Sequence, residues 1–390
     1  MPSTWTGDPT ALERRLDAPP AEVAERVLAR LRRYVEVETP SNDEARLGAL
    51  AELLAADLEA LGGRVERQPA PALGMNLLAR VEGREDALEP VVILAHLDTV
   101  HPVGTLARMP FRVDEGAVRG PGVYDMKGGV AVALEALAAL LAAGSAPRRP
   151  LLLALTCDEE IGSHGSEALI ADVARRAAAV LVPEPCLEDG GVKTARKGVA
   201  TYRLDVTGSA AHAGHEPQQG ASAIHELAHQ ILAVLPLADG ERGTRLNVGT
   251  IKGGSASNVV AAGAQALVDV RLQEPGEGGR VAAAMAALEP RDPGTSVRAL
   301  LQEDRPPLVR TDAVAALYDH AREVARELGV ALTEGRSGGG SGGARAGAAG
   351  AAVLDGLGPL GGGAHADSEH VVLADLPYRV ALMAGLLDTL

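Results

Sequence analysis

The spacing of apolar residues along the chain predicts which segments form helices and which form strands. In the first half, amphipathic segments of helical period alternate with short, continuous apolar runs. Such runs are typical of strands that are buried on both faces, as in parallel sheets. This alternation indicates an α/β domain with a mostly parallel or mixed sheet flanked by helices. The predicted helices span 21–38, 47–61, 127–143 and 167–177, and the predicted strands span 75–81, 91–95, 151–156 and 179–182.

The pattern changes after Gly198, where apolar and polar residues alternate as they do in half-exposed strands. Pro306-Pro307 marks a second boundary, after which a helix returns at 312–328. We therefore expect one domain formed by residues 1–198 and 307–390, with residues 199–306 inserted as a compact α+β domain. Within the insert, strands are predicted at 199–207, 246–251 and 264–272, and helices at 221–235 and 280–288.

The Gly/Ala-rich segment 337–352 allows two interpretations. Its composition is typical of a flexible linker. We favour a tight loop that leads into a helix, because the apolar residues Ala351–Leu354 follow at once and the first domain has still to be completed.

Composition and charge narrow the class of protein and the expected partners. A length of 390 residues suits two domains. Because the formal net charge is −15 and aromatic residues make up 2%, neither nucleic acid nor a membrane surface is an expected partner. No apolar run reaches the ~18 residues that a membrane span needs, and two cysteines are too few for a disulfide framework. A cytoplasmic protein without a signal peptide is expected, since charges interrupt the first residues at Asp8, Glu13, Arg14, Arg15 and Asp17.

Candidate catalytic side chains follow the predicted parallel strands at their carboxyl ends, where open α/β sheets place their sites. His96 and Asp98 come after strand 91–95 and point the same way if the segment is extended. The Asp98 carboxylate can then orient the His96 imidazole for metal binding. An ordinary solvated strand end is the alternative interpretation.

Acidic side chains occupy comparable positions further along the chain. Asp125 lies in a glycine-rich segment just before a predicted helix, where an N-cap is its alternative role. The run Asp158-Glu159-Glu160 follows the buried strand 151–156. A charge run is usually a solvated face, but acids in this position repel one another unless cations balance them. Glu184 follows the strand 179–182 in the same way.

A second imidazole, His365, completes a set of metal-binding side chains. Two imidazoles and three carboxylates suit a pair of Zn²⁺ ions with Asp125 as the bridge. Glu159 is then the spare carboxylate, which can accept a proton from a water molecule whose pKa the metals lower. Because Glu159 and Glu160 are expected on an extended segment, their side chains should point to opposite sides. The predicted ligands are His96, Asp125, Glu160, Glu184 and His365.

The motifs, in this order, resemble the M20 metallopeptidase family, which contains carboxypeptidase G2, the aminoacylases, acetylornithine deacetylase and succinyl-diaminopimelate desuccinylase. The resemblance implies that His96 and Glu184 hold one ion, that Glu160 and His365 hold the other, and that Asp125 bridges them. It also implies Zn²⁺ as the cofactor, with Co²⁺ or Mn²⁺ able to substitute. The matching segments cover nearly the whole chain and are 96–98, 125–129, 158–163, 184–185 and His365.

The same resemblance implies that the insert is a ferredoxin-like lid through which the protein forms a homodimer. Segment 208–214 is similar to the lid motif whose histidine, here His212, reaches the substrate carbonyl. There it would donate to the oxygen on which negative charge builds in the tetrahedral state. Asn258 and Arg271 match lid positions that contact substrate, and their side chains suit a carbonyl or a carboxylate.

Segments 195–198 and 336–341, with the lid motif, are most similar to the carboxypeptidase G2 branch, whose members release C-terminal glutamate. We therefore expect zinc-dependent hydrolysis of an amide bond next to a free carboxylate. An N-acyl amino acid deacylase of the acetylornithine or succinyl-diaminopimelate type is the close alternative, and a non-catalytic metal-binding homologue is the alternative of another class. Gly342 stands where the family usually has an aspartate, which bears on the side-chain preference.

Overall fold

The computed structural model describes residues 9–16 and 18–390. Asp8 and Asp17, on which the expected absence of a signal peptide partly depends, lie outside the described residues. The helices are α1 Pro9–Arg15, α2 Pro20–Val35, α3 Glu44–Ala60, α4 Thr105–Arg108, α5 Gly128–Ala142, α6 Glu167–Arg176, α7 Ala223–Val234, α8 Glu277–Ala286, α9 Asp312–Glu327, α10 Gly342–Ala348 and α11 Leu376–Thr389. The strands are β1 Arg64–Ala70, β2 Gly74–Val81, β3 Val91–His96, β4 Arg112–Asp114, β5 Ala117–Arg119, β6 Leu151–Thr156, β7 Ala179–Val182, β8 Val192–Arg196, β9 Gly198–Thr207, β10 Arg245–Gly253, β11 Gly263–Leu272, β12 Ser296–Arg305, β13 Glu334–Ser337, β14 Val353–Asp355, β15 Gly361–Gly362 and β16 His370–Val372.

The chain divides into two compact units. The first contains the described residues up to 195 together with 310–337 and 341–390, and the second contains 196–309 and 338–340. Residues 199–306, predicted as the inserted domain, lie within the second unit. Among the described helices, none is both long and apolar enough to cross a bilayer.

The first unit is built on an eight-stranded sheet in the order β1-β2-β6-β3-β7-β14-β8-β13. Its centre is parallel, because β3 pairs in parallel with β6 and β7, and β14 pairs in parallel with β7. The antiparallel pairs β1–β2 and β2–β6 make the sheet mixed. The central strands β3, β6 and β7 are buried along their whole length, as their continuous apolar sequences predict. The predicted α/β class with a mixed sheet flanked by helices is confirmed.

Helix α5 packs against α11 and α2 beside this sheet. The sequence pattern predicts α5 but not α11. Helix α11 is buried around its whole circumference except at its C-terminal end, so it lacks the one-sided apolar period by which an amphipathic helix is recognised. A smaller sheet of the same unit has the order β15-β16-β5-β4 and joins segments that are far apart in the sequence.

The second unit is an α+β fold with a four-stranded antiparallel sheet in the order β10-β11-β9-β12. Burial alternates along β9 and β11, as expected for strands with one face on a core. Helix α7 packs against β9 and β11, and α8 packs against β12. The edge strand β12 is largely exposed, which explains why the apolar pattern does not predict it.

The Gly/Ala-rich segment does form a loop followed by a helix. The helix is α10, at Gly342–Ala348. The apolar residues after it form the central strand β14 instead of extending the helix.

Candidate metal centre

The carboxyl ends of three neighbouring parallel strands place candidate ligands side by side. His96 ends β3, Glu159 and Glu160 follow β6, and Glu184 follows β7. Strand β3 lies between β6 and β7, so its imidazole stands between the two acidic segments. The topology therefore brings these residues to one edge of the sheet, where open α/β sheets bind their ligands.

A close approach at the start of α5 brings Asp125 to the same edge. A Cβ on Gly129 would lie 1.7 Å from the carbonyl oxygen of Pro183, so only glycine permits this contact. Pro183 directly precedes Glu184, and the Asp125 loop directly precedes α5. Packing at Gly129 thus holds the Asp125 loop beside the Glu184 segment.

The smaller sheet of the first unit positions His365. This residue lies in the connection between β15 and β16, and β16 pairs with β5, which leads into the Asp125 loop. The backbone of His365 is left-handed, with φ of +63°. A non-glycine residue in that region is strained, and such residues are often found at functional sites.

Asp125 lies between the two imidazoles. Its Oδ1 is 3.3 Å from His96 Nε2, and its Oδ2 is 3.3 Å from His365 Nε2. His365 Nε2 also lies 3.2 Å from Glu160 Oε2, and His96 Nε2 lies 3.7 Å from Glu184 Oε1. The predicted ligands therefore form two groups that share Asp125.

These separations fit two tetrahedral metal ions. Two ligand atoms that are each about 2.0–2.1 Å from a tetrahedral zinc ion lie ~3.3–3.4 Å apart, close to the N···O separations around Asp125. Glu160 Oε1 is buried and has no hydrogen-bond partner within the described part of the chain. Imidazole and carboxylate donors suit zinc and related divalent ions. The residues at this edge are thus able to hold a metal pair.

Asp98 joins two of the ligand segments. His96 Nδ1 lies 3.0 Å from the backbone oxygen of Asp98 and 3.4 Å from its Oδ1. The same Oδ1 accepts a hydrogen bond from the N–H of Glu159, and Oδ2 accepts one from the N–H of Glu160. This carboxylate is placed to orient the imidazole and to hold the acidic segment.

The structure contradicts the alternative interpretations of these motifs. His96 and Asp98 are buried, so they do not form a solvated strand end. Asp158 and Glu159 are buried too, so the acidic run is not a solvated face. Asp125 does not cap α5, which has no side-chain hydrogen bond at its N-cap.

The prediction that Glu159 and Glu160 lie on an extended segment is wrong. Glu159–Ile161 forms a single 3₁₀ turn. The reason lies in Asp98, which accepts both successive N–H groups, whereas an extended segment would point them in opposite directions. Side chains that follow one another in such a turn still diverge by about 120°. Glu160 accordingly faces His365, while Glu159 Oε2 lies 4.0 Å from His96 Nε2.

The charges of the metal-free site depend strongly on one another. Burial opposes protonation of His96, but Asp125 and Asp98 raise its pKa well above the usual value. The hydrogen bonds to Asp125 and Glu160 raise the pKa of His365 to about 10. Burial opposes ionisation of Asp125, yet His365 and His96 lower its pKa overall. The carboxylates of this site therefore favour positive charge next to them.

Two buried residues beside the site escape the sequence analysis. Glu369 and His101 are in contact with each other, and Glu369 also accepts the N–H of Asp125. The sequence offers one signal for Glu369, which is an acid four residues after His365 and directly precedes the short strand β16. For His101 it offers none beyond the proximity to His96.

The second unit contains His212, Asn258 and Arg271. The N–H of Ala213 donates to the carbonyl oxygen of Asn258 at 3.0 Å, so the loops that carry His212 and Asn258 run side by side. His212 Nδ1 accepts the N–H of Gly214 at 3.1 Å. In the neutral ring the proton therefore lies on Nε2, which leaves an exposed N–H donor.

Three arginines surround the glycine segment 338–340 of the second unit. Arg271 Nη1 lies 3.4 Å from the carbonyl oxygen of Gly338, and Arg196 donates to that of Gly340 at 3.0 Å. A Cβ on Gly340 would lie 2.8 Å from Arg305 Cδ. Of these three, only Arg271 is predicted from the sequence to have a role, because nothing in the sequence indicates that the other two arginines lie beside the same glycines.

The mixed sheet and the paired imidazole and carboxylate groups at its carboxyl edge define a metal-dependent hydrolase. The sequence model of peptidase family M20/M25/M40 matches residues 92–389, and the chain belongs to this family of metallopeptidases. The predicted family membership is confirmed.

Known proteins with different specificities are similar to the chain. Carboxypeptidase G2 of Pseudomonas sp. (strain RS-16) is 32% identical over 371 residues, which cover 93% of this chain and 88% of the relative. Acetylornithine deacetylase of Proteus mirabilis is 31% identical over 57% of this chain and 60% of its own length. The crystal structure of a tripeptidase from Staphylococcus aureus has the same fold, with a TM-score of 0.80 at 23% identity over 93% of this chain and 97% of that one.

Proposed function

We propose that the protein is a two-zinc carboxypeptidase that hydrolyses an amide bond next to a free carboxylate and releases C-terminal glutamate. The observation that carries the proposal is the position of Asp125, whose two carboxylate oxygens face the imidazoles of His96 and His365. A carboxylate so placed is suited to bridge two ions. The similarity to carboxypeptidase G2 along most of both chains supports the substrate class.

The proposed chemistry divides between the metals and the side chains. A zinc pair at this site would lower the pKa of the attacking water and polarise the scissile carbonyl. Glu159 accepts the proton of that water and then passes it to the leaving nitrogen. The Nε2–H of His212 donates to the carbonyl oxygen as negative charge develops there. Asp98 keeps His96 in the tautomer that binds metal through Nε2.

The arginine group of the second unit supports a substrate rich in carboxylates. Arg196, Arg271 and Arg305 all lie against the glycine segment 338–340, and a guanidinium group can bind a carboxylate through two parallel hydrogen bonds. A C-terminal glutamate presents both an α- and a γ-carboxylate. We propose that this group, with Asn258, recognises them.

The glycine that departs from the family pattern has apolar surroundings. A Cβ on Gly342 would lie 3.5 Å from Leu94 Cδ2 and 4.0 Å from Ile170 Cδ1, so an aspartate there would be next to apolar groups. The loop is held at the preceding residue, where Ser341 Oγ donates to Asp355 Oδ2 at 2.6 Å. A changed contact at this loop would alter the side-chain preference while leaving the metal ligands in place.

We also propose that the protein is a cytoplasmic homodimer whose contact is the β10 edge of the second unit. Strand β10 is at one end of its sheet, where none of the described strands pairs with its outer edge, and Ile251 on it is 62% exposed. On α7, Ile224 and Leu232 are exposed as well, and Ile224 lies beside Gly253 at the end of β10. An exposed strand edge with apolar side chains near it favours pairing with a second copy.

Activity and metal content together test the proposal. The zinc-loaded protein would be assayed with an N-acylglutamate, a folate-type glutamate conjugate, N-acetylornithine and N-succinyl-diaminopimelate, and zinc per subunit would be measured by elemental analysis. We expect two zinc ions and the highest kcat/KM on the glutamate substrates. A preference for N-acetylornithine would instead support the deacylase, which the similarity to acetylornithine deacetylase favours as the second candidate. Metal binding without turnover of any amide would support the non-catalytic homologue.

A further inference from the structure

Glu369 is a buried carboxylate toward which four donors point. Its Oε2 accepts the N–H of Gly122 at 2.9 Å and lies 2.6 Å from His101 Nε2. Its Oε1 accepts the N–H groups of Tyr124 at 2.9 Å and Asp125 at 3.0 Å. The residue is 1% exposed. Burial of a carboxylate is costly unless such charge-assisted hydrogen bonds compensate for the lost water.

Three of these donors are backbone groups of one short loop, 122–125. The loop ends at Asp125, so the carboxylate fixes the backbone from which the Asp125 side chain projects. The two oxygens of Asp125 face different imidazoles at the same distance of 3.3 Å. A small rotation of this loop would improve one contact and lengthen the other. The equal distances from the two Asp125 oxygens to the two imidazoles therefore depend on the hydrogen bonds that Glu369 accepts from this loop.

The same carboxylate connects three segments that carry candidate ligands. Glu369 lies in the same segment as His365, and it accepts hydrogen bonds from the loop that ends at Asp125. Its partner His101 lies in the segment that begins with His96. In the described part of the chain, the polar contacts of the Glu369 carboxylate are to the ring of His101 and to the backbone N–H groups of the loop, and both of its oxygens are engaged by them. Its action on the site is through position.

We propose that Glu369, oriented by His101, is a positioning residue that sets the metal affinity of the site through the backbone of Asp125. The inference depends on the proposed two-metal function and adds to it a residue pair that would tune both metal positions. Partners that support metal ligands in this way typically contribute about 10–100-fold to metal affinity.

The test compares Glu369→Gln with Glu226→Gln in the full-length protein. Glutamine has the shape of glutamate, but its NH₂ group cannot accept the N–H of Gly122 or Asp125. Glu226 is a matched control, because it is also 1% exposed and accepts the N–H groups of Arg291 and Asp292, but in the second unit. Zinc affinity would be measured by competition with a chromophoric chelator, and the melting temperature would be measured without metal.

We expect Glu369→Gln to weaken zinc binding about 10–100-fold, whereas Glu226→Gln lowers the melting temperature and leaves zinc affinity unchanged. His101→Gln, which can keep a donor near the position of Nε2, should bind zinc more tightly than His101→Leu. If Glu369→Gln only lowers the melting temperature and binds zinc as tightly as wild type, the residue is structural and the inference is wrong. If the wild-type protein itself binds no zinc, the proposed function fails instead.

Discussion

Asp98 accepts the backbone N–H groups of Glu159 and Glu160 through its two different oxygens, at 3.1 Å each. Ser41 Oγ also donates to Oδ2 at 2.7 Å, and His96 Nδ1 lies within 3.4 Å of Oδ1. One carboxylate thus lies beside the ring of His96 and also holds the turn that carries Glu159 and Glu160. Each role depends on acceptor oxygens.

Replacing Asp98 by Asn tests this relationship. The amide NH₂ group would face an N–H donor, so the turn at Glu159–Ile161 should shift and the His96 ring should lose its anionic partner. We expect zinc affinity and kcat to fall about 10–100-fold. The control is Asp158→Asn, because Asp158 is buried in the same segment but accepts from Gly165 N–H and Ser166 Oγ. Equal zinc affinity in Asp98→Asn and wild type would show that Asp98 does not orient the ligand.

Removal of the His212 imidazole should lower the rate more than substrate binding. The proposed donor is Nε2–H, whose effect is largest when the carbonyl oxygen is negatively charged. We expect His212→Ala to lower kcat about 10²–10³-fold with a smaller change in KM. His215→Ala is the matched control, since its ring centroid lies only 4.3 Å from that of His212. Equal losses in both variants would assign the effect to the loop and not to one donor.

The sequence predicts the centre of the fold and the convergence of the candidate ligands for one physical reason. The strands in the middle of the sheet, β3, β6 and β7, are buried along their whole length and almost entirely apolar, and the candidate ligands lie at their carboxyl ends or within a few residues of them. Because the carboxyl ends of parallel strands lie at the same edge of a sheet, these residues are expected to converge even when the order of the strands is not known. The inserted unit follows from the change to an alternating pattern after Gly198.

Other features depend on partners that the sequence does not reveal. His101 and Glu369 are 268 residues apart, and neither belongs to a regular pattern. The turn at Glu159–Ile161 exists because Asp98 accepts two successive N–H groups, which local propensity does not indicate. Helix α11 is buried nearly all round, so its position is set by tertiary packing and leaves no amphipathic signal.

Zinc uptake should release protons at neutral pH. The pKa of His365 is raised to about 10 by Asp125 and Glu160, so this ring is protonated in the metal-free protein at pH 7, and Asp125 and Asp98 raise the pKa of His96 in the same direction. Metal binds the deprotonated ring, so zinc affinity should increase as pH rises from 7 toward 10. Calorimetric titration in buffers of different ionisation enthalpy would measure the release, and His365→Gln should release one proton fewer. Zinc uptake at pH 7 without proton release would contradict these pKa shifts.

A charge on the β10 edge should break the proposed dimer. Ile251 is 62% exposed, and a lysine there would have to be buried without a partner if two β10 edges meet. We expect Ile251→Lys to be monomeric by light scattering at micromolar concentration, where the wild type is a dimer. Val113→Lys is the control, because Val113 is 46% exposed on β4 of the first unit. A wild-type monomer, or a dimer that Ile251→Lys leaves intact, would refute the proposed contact.

Substitutions at Glu159 and Glu160 distinguish the proposed general base from the proposed metal ligand most directly. Glu160 Oε2 lies 3.2 Å from His365 Nε2, while Glu159 Oε2 lies 4.0 Å from His96 Nε2 and close to Glu184. The 3₁₀ turn directs the two side chains differently, so one can bind metal while the other accepts a proton. Glu159→Gln keeps the shape of the side chain but removes its ability to accept a proton.

We therefore expect Glu159→Gln to lower kcat on an N-acylglutamate by about 10²–10⁴-fold, the usual contribution of general-base catalysis, while two zinc ions stay bound. Glu160→Gln removes an anionic ligand and should lose zinc as well as rate. The measurements are zinc per subunit by elemental analysis and kcat on zinc-loaded protein. Glu159 also lies within the His96 and Glu184 group, so the zinc content of the two variants decides which glutamate is the ligand. Loss of zinc from Glu159→Gln, with zinc retained in Glu160→Gln, would exchange the two roles, because a ligand loses metal when its charge is removed and a base does not.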